Sequence, residues 1–208
     1  MNLLFKNIKL FFTHPKSLFS ALRETPGFKR ALILLFILAS SFVLPNIKSL
    51  LSKYPDAILM TDALIMTSIL VTGLLFVGLL LGSSYVLILC RLLGRKPKFT
   101  AILSALIYCG IPSMFGMIFY TLLPVRTYLL SIFPIEKLHP FLISVFQEVD
   151  LFWLWTTAME IIAVAIISGL SYRKSFTIII SYWIVRSIII YLLGINMGEI
   201  YRGVLPIF

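Results

Sequence analysis

Residues 63–90 read ALIMTSILVTGLLFVGLLLGSSYVLILC, and from Ala63 to Cys90 there are 28 positions without one charged side chain. As a helix rising 1.5 Å per residue, this stretch is about 42 Å long, against a bilayer hydrocarbon layer of about 30 Å. It crosses with room for tilt. Gly78 and Gly82 within it form a GxxxG spacing, which lets a second helix approach closely. This one segment makes lipid the solvent against which the rest of the chain is read.

The composition agrees with that solvent. The chain has 208 residues, 60% hydrophobic and 12% charged, with a mean hydropathy of +1.04. Soluble domains carry about 25% charged residues. The net charge of +10 would suggest nucleic acid in a soluble protein. Here the cations lie between apolar runs, where they orient spans and meet anionic lipid headgroups, so no nucleic-acid partner is expected. Cys90 and Cys109 fall in or beside apolar segments and form no CxxC or Cys/His cluster, which reads as two inert membrane thiols.

Four further spans are expected on either side of the second. A first one, about 31–50, has an uncharged core from Ala31 to Leu44, ends at Pro45, and reaches 50 only if Lys48 extends to the interface. A third, about 101–123, contains Tyr108, Gly110, Pro112 and Gly116; Pro112 removes a helix hydrogen bond and predicts a kink. Residues 125–150 mix charges, aromatics and prolines, which reads as a loop with short interfacial helices. A fourth span, about 151–170, opens with Trp153 and Trp155, and a fifth, about 176–195, follows a basic turn from Ser171 to Lys174. Ahead of them all, residues 1–29 form a basic amphipathic lead-in. Phe5, Ile8 and Phe12, then Leu18, Phe19 and Leu22, recur at helical spacing, with Pro15 between two short helices. That pattern suits a segment lying in the headgroup region and equally a packed pre-helix. A cleavable signal peptide is not expected, because Leu10 to Phe12 is short and is broken by Thr13, His14 and Pro15. The fold class is therefore all-α: one integral membrane bundle of five transmembrane helices with an amphipathic N-terminal segment.

Lysine and arginine set orientation. Twelve fall in the lead-in, the loop after span two and the turn after span four, and five fall on the other side: Lys48, Lys53, Arg126, Lys137 and Arg202. This alternation places the N-terminus in the cytoplasm and the C-terminus outside, in a cell (cytoplasmic or inner) membrane. Two charges, Glu160 and Arg186, lie deep in spans. With the hairpin turning near Arg173, each is 13 residues from the turn, about 20 Å deep, so an intramembrane polar pair is expected. Thr156 and Thr157 share the Glu160 face; Tyr182 and Trp183 lie one turn before Arg186 and could hydrogen-bond the pair or stack on the guanidinium. This pair reads either as a structural ion pair or as a proton- or substrate-handling site. There is no HExxH, GxSxG, P-loop or dinucleotide fingerprint, and His14 and His139 cannot make a metal site alone. No catalytic, cofactor-binding or metal-binding residues are assigned, and an enzyme is not expected.

Three stretches together resemble the Yip (Ypt-interacting protein) family in its prokaryotic branch. They are Phe11 to Pro26 (FFTHPKSLFSALRETP), Arg91 to Gly94 (RLLG) and, most clearly, Tyr108 to Pro112 (YCGIP). The resemblance covers nearly the whole chain. It implies a five-span fold, a membrane address and a role in membrane-protein organisation or transport. The chain lacks the long acidic head of the eukaryotic branch, so that branch's association with Rab GTPases and vesicle traffic is not carried over. The leading expectation is a non-enzymatic multi-pass protein that organises or recruits membrane-protein partners, or copies of itself as a homo-oligomer. The rival is a small transporter or channel subunit using Glu160, Arg186, Thr156, Thr157 and Tyr182.

Overall fold

A computed structural model describes residues 2–43, 57–122 and 150–192. The lead-in forms α1 (Asn2–Thr13) and α2 (Pro15–Glu24). Pro15 sits at the start of α2, where its missing N–H has no helix partner to lose. Then come α3 (Phe28–Val43), α4 (Ala57–Leu92), α5 (Phe99–Cys109), α6 (Ile111–Leu122), α7 (Leu151–Ser168) and α8 (Tyr172–Leu192). Among the described residues there is no strand. Three helical stretches are long and apolar enough to cross a membrane: Leu64–Leu92, Phe99–Gly116 and Leu151–Ser168. The expected extension of the first span to residue 50, and the whole of the 125–149 loop, lie outside the described residues.

Solvent preference is visible on α4. Its 36 residues make a rod of about 54 Å. Its outward stripe, including Ile69, Leu70, Leu74 and Leu81, is more than half exposed. A continuous aliphatic stripe of that length suits hydrocarbon and would be a liability in water. The opposite case is α5, in which every residue from Ala101 to Cys109 is buried. A helix apolar on all sides belongs at the centre of its bundle. Phe11, Leu18, Phe19 and Leu22 from the lead-in, Leu34 and Leu38 from α3, Val86 and Cys90 from α4, and Ala163, Val164 and Ile167 from α7 share its core.

The expected kink in the third span is a break between α5 and α6 at Gly110, two residues before the proline. Pro112 offers no N–H to the preceding turn. The backbone tightens there, with Gly110 N–H bonding the Ile107 carbonyl at 3.1 Å, and the ladder resumes with Met114 N–H on the Gly110 carbonyl at 3.2 Å. A methyl group on Gly110 would stand 3.1 Å from the Leu38 side chain, so the absent Cβ lets α3 close on the break.

Both ends of α7 are capped. The Asp150 carboxylate accepts the Trp153 backbone N–H at 2.6 Å, which satisfies a donor left over in the first turn. Gly169 closes the helix in the left-handed region at φ 66°, a conformation glycine adopts without steric cost. The polypeptide therefore turns at 169–171, and Tyr172 to Lys174 already belong to α8. This differs from the expected turn at Ser171–Lys174 and changes the register of the hairpin. Counted from Leu170, Glu160 is ten residues back and Arg186 sixteen residues on, so Arg186 lies about 9 Å further from the turn.

The lead-in folds into the bundle. Asn7 donates to the Tyr108 hydroxyl at 2.9 Å, and the Phe12 ring meets Phe115 and Trp155, each at 5.7 Å between centroids. On the way back, Arg23 donates to the Ile166 carbonyl at 3.3 Å, and Lys98 donates to the Glu24 carbonyl at 3.4 Å. Thus α1 follows α5 and α6 from Tyr108 to Phe115 and ends against Trp155, and α2 returns along α7 to Ile166. Of the two placements the sequence left open, the helices take the packed one, beside the spans.

Candidate functional site

The polar face of α7 meets α8 through an indole. Glu160 is 7% exposed, and its carboxylate accepts the Trp183 Nε1–H at 3.0 Å. The Arg186 guanidinium lies over the same ring, 4.6 Å from its centroid. Trp183 therefore serves both deep charges: its edge donates to the anion and its face receives the cation. The register explains why. The turn at 169–171 brings the residue one helical turn before Arg186 to the carboxylate, and the indole is long enough to reach it. Trp153 packs edge-on to Trp183 at 5.3 Å.

The supporting residues divide. Thr156 shares a hydrogen bond with Ser113 of α6 at 3.1 Å, which ties α7 to the segment just past the Gly110 break. The Thr157 hydroxyl and the Trp153 indole N–H are buried and make no hydrogen bond among the described residues. Tyr182 meets α4: a Cβ on Gly82 would stand 2.8 Å from its hydroxyl, and its ring is 6.0 Å from Tyr85. Tyr85 in turn donates to Ser181 at 3.1 Å. Of the two spaced glycines, Gly82 is thus the contact to α8, while Gly78 has nothing within 4 Å of an added Cβ. Tyr108 is the anchor for Asn7 of the lead-in, and Gly110 and Pro112 make the break described above. The sequence placed Trp183 within reach of the pair; nothing in it singled out Asn7.

A second feature is the end of the bundle where α2, α4 and α7 finish and α3, α5 and α8 begin. Arg23, Lys29 and Arg30 lie at the α2–α3 corner, Arg91, Arg95, Lys96 and Lys98 at the α4–α5 turn, and Arg173 and Lys174 at the start of α8. These nine cations share their corners with a single carboxylate, Glu24. The bonds from Arg23 and Lys98 to terminal helix carbonyls place positive charge where the helix dipole favours it. The other three cations expected on this side, Lys6, Lys9 and Lys16, lie on the hairpin of α1 and α2. The five expected on the opposite side lie outside the described residues. No group of three or more His, Cys, Asp or Glu side chains capable of holding a metal occurs among the described residues.

Comparison with curated proteins and with solved structures finds no match. The family model described as the Yip1 domain matches residues 8–194, from within α1 to just past the described end of α8. The match takes in the hairpin from Ile8 onward, the Gly110 break and the α7–α8 clamp, and the chain belongs to the Yip1 domain family.

Proposed function

We propose that the chain is a non-enzymatic, five-span scaffold of a cell membrane that presents a basic cytoplasmic face to anionic lipid and to partner proteins. In this reading α3, α4, the α5–α6 pair, α7 and α8 are the five crossings, the N-terminus is cytoplasmic and the C-terminus is outside. The nine-cation end carries the proposal. Each lysine or arginine held near an anionic leaflet contributes roughly 1 kcal/mol of attraction, so such an end is pinned to the cytoplasmic surface and opposes inversion. The outward notch at Gly78, with open space before its Cα, offers a close approach for a helix of a partner or of a second copy.

The deep charges support a scaffold over a transporter. Glu160 is closed in by Trp183 and serves as a tie between helices. The groove of about 450 Å³ between α3 and α4 is lined by Leu32, Leu35, Phe36, Ile69, Thr72, Gly73 and Phe76. Its one hydroxyl, on Thr72, already donates to the Ser68 carbonyl at 2.6 Å, leaving little to hold a polar solute.

Cross-linking in native membranes followed by pull-down of the intact protein tests the proposal. Wild type is expected to retain membrane-protein partners or copies of itself, and the triple variant Arg95→Gln, Lys96→Gln, Lys98→Gln is expected to lose them. Equal recovery by both would refute the role of the basic end. In liposomes, wild type and Glu160→Gln are expected to give the same background flux. A flux that depends on Glu160 would restore transport.

A further inference from the structure

The hairpin of α1 and α2 presents a problem of solvation. Phe11, Leu18, Phe19 and Leu22 are packed inside, and Leu3, Phe5 and Phe12 of α1 are exposed. The outer side also carries Lys6, Lys9, Lys16, Ser17, Ser20 and Arg23, all exposed, and that of α2 has no large apolar side chain among them. Phe12, at the tip of the hairpin, meets Trp155, and Arg23 of α2 reaches the Ile166 carbonyl, so the ten residues of α2, a run of about 15 Å, return alongside α7. With 18 residues, α7 is about 27 Å long, close to the thickness of the hydrocarbon layer, and has no length to spare outside it. The polar outer side of α2 therefore lies within the thickness of the membrane. Hydrocarbon cannot solvate it, and a lysine stem is shorter than the run it would have to cover to reach the surface.

We propose that the outer side of this hairpin holds the headgroups of anionic phospholipids below the level of the surrounding leaflet, thinning the bilayer locally along α2. Charge complementarity selects this occupant. Four cations face outward against one carboxylate, Glu24, and phosphate-bearing headgroups are the anions that a membrane supplies at that position. Water alone would solvate the hydroxyls of Ser17 and Ser20 but would leave the excess positive charge unbalanced. The stripe joins the basic end at Arg23, so a headgroup has a continuous polar path from the surface down to Lys16. The inference rests on the proposed orientation, with the basic end in an anionic leaflet.

A fluorophore placed by cysteine substitution at Ser17 reports the occupant. The control position is Ala158, exposed on the lipid-facing side of α7 at a similar level. The buried Cys90 and Cys109 are replaced by alanine in the full-length protein. In vesicles of phosphatidylcholine with a minority of phosphatidylglycerol, quenchers are carried either on headgroups or on acyl chains. The headgroup quencher is expected to act at least about twofold more strongly than the chain quencher at Ser17, and the order is expected to reverse at Ala158. The triple variant Lys6→Gln, Lys9→Gln, Lys16→Gln, whose changes are all at exposed positions, is expected to lose the headgroup preference at Ser17. Stronger quenching by chains at Ser17 would overturn the proposal. So would headgroup quenching that is the same without phosphatidylglycerol, or quenching at Ser17 by aqueous iodide alone, which would mark a water crevice. If Ala158 also escapes the chain quencher, the proposed placement of the spans has failed and the hairpin proposal falls with it.

Discussion

At the scale of single residues, the α7–α8 clamp makes an ordered prediction. Trp183→Phe keeps a ring beneath Arg186 but removes the donor from a buried carboxylate. Leaving such a group without its partner costs about 1–3 kcal/mol or more. Glu160→Gln keeps an acceptor for the indole and should cost less. The unfolding midpoint in detergent is expected to fall further for Trp183→Phe than for Glu160→Gln, and the double variant should lose less than the sum of the two. Equal, additive losses would mean that the hydrogen bond is not what holds the site. The two glycines of α4 make a second contrast. Gly82→Ala must displace the Tyr182 ring and is expected to destabilise by about 1–3 kcal/mol, whereas Gly78→Ala meets open space and should be neutral or slightly stabilising in thermal unfolding. A GxxxG spacing shows that two positions share a side of a helix. Which of them has a neighbour depends on another helix and is not written in the spacing.

At the scale of elements, Asp150→Ala is expected to cost about 0.5–2 kcal/mol, with hydrogen exchange rising in the first turn of α7 and not at its far end. Tyr108→Phe removes the acceptor for Asn7 and should loosen α1 by about 1 kcal/mol, seen as faster exchange in the lead-in while α5 stays protected. Much at this scale was legible. Residues 63–90 gave α4, and the hydrophobic spacing on either side of Pro15 gave α1 and α2, whereas the sequence pattern reads the caps of α7, Asp150 and Gly169, as loop and span. The misplaced turn came from weighing the basic run Ser171–Lys174 above the glycine before it, although only the glycine supplies the left-handed conformation that reverses the backbone. The docking of α1 and α2 was not legible. An amphipathic pattern has the same form whether its apolar side meets lipid headgroups or other helices, and the Asn7–Tyr108 bond joins residues 101 positions apart.

At the scale of the whole molecule, the charge asymmetry predicts that reporter fusions at residues 1 and 208 fall in opposite compartments. Neutralising the α4–α5 turn alone should leave that topology in place, because the α2–α3 corner and the start of α8 still carry five cations. The two thiols add a consequence of another kind. Cys90 and Cys109 are both fully enclosed, one near the basic end and the other beside the Gly110 break. A membrane-permeant maleimide can reach them only when the helices part, so its uptake works as a clock for breathing motions. If Cys109 reacts ahead of Cys90, the bundle opens first at the interrupted helix; the reverse order would place the weak seam among the cationic corners.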